Sequence, residues 1–166
     1  MTTRLVEEVR EWNTPIVGAY LLWRFTKSYC RNHPEGQAPV MILHFIAEAI
    51  LSSDELLKLM KSRRGLASYI RHFNTAQKTD LLANLSHRIY ERRERVLAVI
   101  DIALATGLLA LDSGTATLYP VSIRSPKGGR RVSKTMNDLG KKAEMLGTWF
   151  AKENFTNIVH NLGVQL

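Results

Sequence analysis

The sequence predicts a mainly α fold: a helical N-terminal half packed on a winged-helix-like C-terminal half with one β-hairpin. Three observations predict it. Apolar residues recur every three to four positions through most of the chain, the period of one helix face. That period changes after Gly107, where Leu108–Leu111 and Ala116–Tyr119 flank Asp112-Ser113-Gly114-Thr115, as in a hairpin. One more amphipathic helical stretch then follows, and helices leading into a hairpin are the order of elements in a winged helix. A length of 166 residues, 45% hydrophobic and 23% charged, suits one domain over 1–166, with halves at 1–78 and 79–166.

Each element has a local cause. Leu5, Val6, Val9 and Trp12 predict a short amphipathic helix over 1–12. Thr14 can cap the next helix, and Pro15 suits its first position, where an N–H would have no partner to lose. That helix runs through Ala19, Leu22 and Phe25 and ends near Asn32, before Pro34. Residues 40–51 are apolar on nearly every side, which predicts a buried helix. Ser53 followed by Asp54 and Glu55 reads as the start of another, with acids at the positive end of the dipole. A short helix covers Leu66 to Phe73. From about Asp80 to Thr106 one long helix is expected, with Glu91 and Arg95 as an i to i+4 pair in its charged middle and Gly107 as its C-terminal stop. A basic loop occupies 122–134. The last helices carry Leu139, Ala143, Leu146, Trp149 and Phe150, and then Ile158–Leu162, closed by Gly163.

Lys and Arg number 23 against 15 Asp and Glu, a net charge of +8, which suits a polyanion or an acidic partner. The charge is uneven. Arg124, Lys127, Arg130, Arg131 and Lys134 fall in the loop 122–134, which has no acidic residue. Such a loop can follow a phosphate backbone or an acidic protein surface, or simply be a solvated connection. It has no aromatic residue on which a base could stack. Lys58, Lys61, Arg63, Arg64 and Arg71 form a second basic group.

Several classes of chemistry lack their residues. No nucleotide-binding glycine loop and no nucleophile-elbow motif exist, so no cofactor is expected. Cys30 is the only cysteine, and the five histidines lie on separate segments, which argues against a metal site. His44, inside the apolar helix, reads as a buried histidine with its hydrogen bonds satisfied. Asp101 reads as exposed or paired with an arginine rather than as a buried acid. The longest apolar run, Val96 to Leu111, is interrupted by Asp101 and is shorter than the roughly 18 residues of a spanning helix. With Glu7, Glu8 and Glu11 near the start instead of a basic signal segment, the expectation is a soluble cytoplasmic protein, off the membrane and without catalytic activity.

Several patterns together resemble one family. They are Trp12-Asn13-Thr14-Pro15 before an apolar helix, Leu104-Ala105-Thr106-Gly107 before the hairpin, and its close at Leu118-Tyr119-Pro120. The most specific is Leu146-Gly147-Thr148-Trp149-Phe150 with the closing Leu162-Gly163-Val164. From about residue 12 to 166 the chain is similar to the middle component of three-component ABC systems, the group that includes the Lamassu anti-phage systems. The resemblance implies a non-enzymatic adaptor. It would dock on an SMC-like ABC ATPase subunit and help hold an effector subunit, a nuclease or another; weak, non-specific contact with duplex DNA is the expectation from the basic loop 122–134. The rival reading is a stand-alone winged-helix transcriptional regulator. A regulator needs Arg, Asn or Gln on its recognition helix. The helix entering the hairpin instead ends Ala98-Val99-Ile100-Asp101-Ile102-Ala103-Leu104-Ala105-Thr106.

Affinity in such an adaptor comes from buried aromatic anchors more than from rim charges. Trp149 and Phe155 are the candidates for a protein interface. Trp149 lies about 100° around the helix from Phe150, so it either anchors a partner or widens the core face.

Overall fold

The computed structural model describes residues 14–60, 65–122 and 132–166. Among them are eight helices and one antiparallel hairpin. The helix expected over 1–12 lies outside the described residues.

Helix α1 (Pro15–Asn32) starts with proline at its first position and stops where His33 leaves helical geometry, its N–H still reaching the Tyr29 carbonyl at 2.8 Å. Helix α2 (Met41–Leu51) is buried along most of its length, as its composition requires. Ser53 caps α3 (Asp54–Lys58) by accepting from the Leu56 N–H, and α4 (Leu66–Thr75) follows. The single helix expected from Asp80 to Thr106 is two, α5 (Thr79–Ala83) and α6 (Leu85–Ala105). At Asn84 between them ψ is −3°, well away from the helical value near −42°. The bend lets Leu85 reach full burial while Leu81 and Leu82 stay at the edge of the core.

Gly107, at φ +73°, turns the chain out of α6 into strands β1 (Leu109–Asp112) and β2 (Thr117–Pro120). The register pairs Leu109 with Pro120 and Asp112 with Thr117. The turn therefore spans 113–116, one residue later than expected. Asp112 stays in the ladder and its carboxylate accepts from the Gly114 N–H at 2.9 Å. A third piece of sheet was not apparent from the sequence. Val40 bridges Thr117, with Met41 N–H donating to Ala116 at 2.7 Å and Leu118 N–H donating to Pro39 at 3.2 Å. The loop between α1 and α2 is thereby tied to the hairpin.

Ser133 caps α7 (Lys134–Ala151), and Asn154 caps α8 (Phe155–Leu162), which begins three residues before the expected Ile158. Helix α7 lies along α1. Gly147 makes this possible, because a Cβ there would collide with the Phe25 carbonyl oxygen. Phe25 and Phe150 meet edge to face at 5.7 Å, and Ser28 donates to the Glu144 carbonyl at 2.7 Å. Buried residues from both sides of residue 78 form one cluster, from Val17 to Val164.

Candidate partner-binding surfaces

Helix α6 has three distinct faces. Leu85, Val96, Val99, Ile100 and Ala103 enter the core. A flank of arginines meets α2. Arg92 grips the buried Glu48 carboxylate with two bonds, Nε to Oε2 at 2.9 Å and Nη2 to Oε1 at 2.6 Å, and Arg95 Nε lies 3.7 Å from the same group. The bond to Glu48 holds the Arg92 pKa above its ordinary value. Arg88 donates to the Ala49 and Ser52 carbonyls, each at 2.8 Å, and so satisfies the C-terminal end of α2. Burial, and then the nearby Arg92 charge, push the Arg88 pKa down. The expected pair of Glu91 with Arg95 does not form: Glu91 meets His87 at 3.0 Å, and Arg95 turns toward Glu48. The α2 carboxylate, 6% exposed, outcompetes an exposed neighbour because the attraction is less screened there.

The third face is exposed and carries Tyr90, Glu94, Leu97, Ala98 and Asp101. The Arg93 guanidinium stacks 4.0 Å above the Tyr90 ring and donates to the Tyr90 carbonyl. Asp101 is exposed, as expected.

A second surface lies between α3 and the start of α7. Asp54, Leu57, Lys58, Thr135, Asp138 and Lys142 border an open cleft of about 450 Å³. Lys142 donates to the carbonyls of Leu57 at 3.1 Å and Met60 at 2.5 Å, which fastens α3 to α7. On α1, Trp23 donates to the Val121 carbonyl at 3.0 Å, Lys27 sits over the Trp23 ring, and Arg24 pairs with Glu144 at 2.8 Å. His44 is wholly buried, its Nε2 2.8 Å from Thr26 Oγ1, and burial lowers its pKa to about 4. Among the described residues no group of three His, Cys, Asp or Glu is placed to hold a metal ion, and no helix is long and apolar enough to cross a membrane.

A sequence model of the ABC-three component (ABC-3C) system Middle Component 3 family matches residues 2–166. The chain belongs to that family. No curated protein and no solved structure matches it. The family's name makes the middle component one part of a multi-component system. Of the residues singled out in the middle component for partner contact, Arg124, Lys127, Arg130 and Arg131 lie outside the described residues. Lys134 is exposed at the first position of α7. Trp149 is in the core, 3% exposed, with its ring 5.3 Å from Tyr69, so it presents no surface to a partner. Phe155 opens α8 and is 37% exposed. Lys134 and Trp149 are separated by about 22 Å along α7 and do not share a site. The outer face of α6 was missed in the sequence. Its signal was there, as Tyr90, Leu97 and three carboxylates lie on helix positions the core does not use.

Proposed function

We propose that the chain is a non-catalytic adaptor of a bacterial anti-phage defence complex of the Lamassu type. It works in the cytoplasm, docks on an SMC-like ABC ATPase, and helps couple DNA sensing to an effector, often a nuclease. Family membership supports the multi-component setting. The observation that carries the adaptor reading is the outer face of α6. In a winged-helix regulator the helix before the hairpin reads base edges with donors such as Arg, Asn or Gln. Here that face offers Glu91, Glu94 and Asp101 with Tyr90, Leu97 and Ala98, and Arg93 is the cation among them. Carboxylates on that face repel phosphate, and exposed apolar side chains favour protein.

Contact with DNA is secondary in this reading and falls to Arg124, Lys127, Arg130, Arg131 and Lys134. The test is co-expression with the other components of the system. A stable complex with the ATPase component, and no ATPase, nuclease or protease turnover by the chain alone, is the expected result. Sequence-specific duplex binding by the isolated chain, with no complex formed, overturns the adaptor in favour of a regulator.

A further inference from the structure

We propose that the outer face of α6 is a docking seam for an amphipathic helix of another component of the system, with Lys or Arg opposite Glu94 and Asp101. This rests on the adaptor reading and names its contact surface. Tyr90, Glu94, Leu97 and Asp101 are spaced four, three and four residues apart. That spacing keeps them on one line of the helix, the seam through which two helices pair. Tyr90 is 64% and Leu97 47% exposed, and both carboxylates are exposed. Ala98 and Ala105 flank the line with small side chains that let another backbone approach. From Tyr90 to Ala105 the stripe is about 22 Å long, enough for three to four turns of a partner helix.

The charges choose the occupant. Among the described residues neither Glu94 nor Asp101 has an ion pair, whereas Glu48 has Arg92 and the Glu91 carboxylate meets the His87 imidazole. A wholly apolar partner helix would bury two unpaired carboxylates, which is costly. Lys or Arg at the facing positions pairs with them and lays its methylene stem over Leu97 and Tyr90. Arg93, stacked on Tyr90, holds that ring in place before the partner arrives. A second copy of this chain fits badly. Pairing α6 with itself in parallel sets Glu94 against Glu94, and antiparallel pairing about Leu97 and Ala98 sets Glu94 against Asp101. Residues 1–13 fit badly as well, since they carry Glu7, Glu8 and Glu11 against Arg4 and Arg10. Duplex DNA is repelled by the same carboxylates.

The experiment uses the full chain co-expressed with the other components. The photo-crosslinker p-benzoylphenylalanine replaces Leu97, and the crosslinked peptide is identified by mass spectrometry. In parallel, Glu94→Lys with Asp101→Lys is assayed for affinity to the purified partner component, with thermal melting as the folding control. Expected are a crosslink to a helical segment of another component bearing Lys or Arg, and at least tenfold weaker binding at unchanged Tm. A complex that forms with unaltered affinity in the charge-reversed variant, or a crosslink to a second copy, to residues 1–13 or to DNA, overturns the seam and leaves the adaptor standing. Failure of the parent chain to bind any component overturns both.

Discussion

Arg92 of α6 and Glu48 of α2 form a two-bonded ion pair at 2.9 and 2.6 Å, with the carboxylate nearly closed off from solvent. The pair fastens the helix that enters the hairpin to the most buried helix of the fold. Removing one partner strands a buried charge. Arg92→Ala, which leaves the Glu48 carboxylate buried, should cost about 3–5 kcal/mol in urea unfolding. Glu48→Met with Arg92→Met should cost less than the sum of the two single changes, by about 1 kcal/mol or more. Strict additivity would mean that the two charges do not stabilise each other.

His44 makes stability depend on pH. Its folded pKa is near 4 and its unfolded value is 6.5, so the unfolded chain takes up the proton first as pH falls. The stability linked to neutral His44 is complete above about pH 6.5 and is lost progressively down to about pH 4, roughly 3 kcal/mol over that window. His44 faces Thr26 Oγ1 through Nε2 at 2.8 Å and the Val40 carbonyl through Nδ1 at 3.3 Å, and both contacts are lost with the ring. His44→Gln should therefore lower stability at neutral pH and flatten its fall between pH 6.5 and 5.5. An undiminished slope would place the titration elsewhere.

Trp149 and Phe155 should separate cleanly. Trp149→Ala empties core space beside Tyr69 and should cost about 3–5 kcal/mol, with any lost co-purification following only from unfolding. Phe155→Ala, at a helix start where the residue is 37% exposed, should cost about 1–2 kcal/mol, less than the Trp149 change. Thermal melting of both variants checks this. A Trp149→Ala protein that melts like the parent would refute its core role.

The basic segment is read through salt. With Arg124, Lys127, Arg130, Arg131 and Lys134 each meeting one phosphate, the log–log slope of duplex affinity against salt should be roughly −4 to −5. Changing all five to Ser should remove most of that slope in a titration at two salt concentrations. An unchanged slope means that these side chains do not touch phosphate.

By itself the sequence determined the local elements. Pro15, the Ser53 cap, the apolar period and the Asp112 turn act within a few residues, so α1, α2, α7 and the hairpin were legible almost to their ends, while the Ser133 cap that starts α7 fell within the expected loop. It also determined the family, through patterns spread over residues 2–166. What only the tertiary structure decided is which face of each element is left over. Glu48 and Arg92 stand 44 positions apart, and Val40 and Thr117 still farther, so no local pattern announced either contact. Trp149 is buried because Tyr69 lies opposite, and the outer face of α6 is exposed because no described element covers it. A helix's period reveals that it has two sides. Which neighbours claim the remaining surface depends on how the chain returns on itself, through contacts whose energy comes from excluding water between residues distant in sequence.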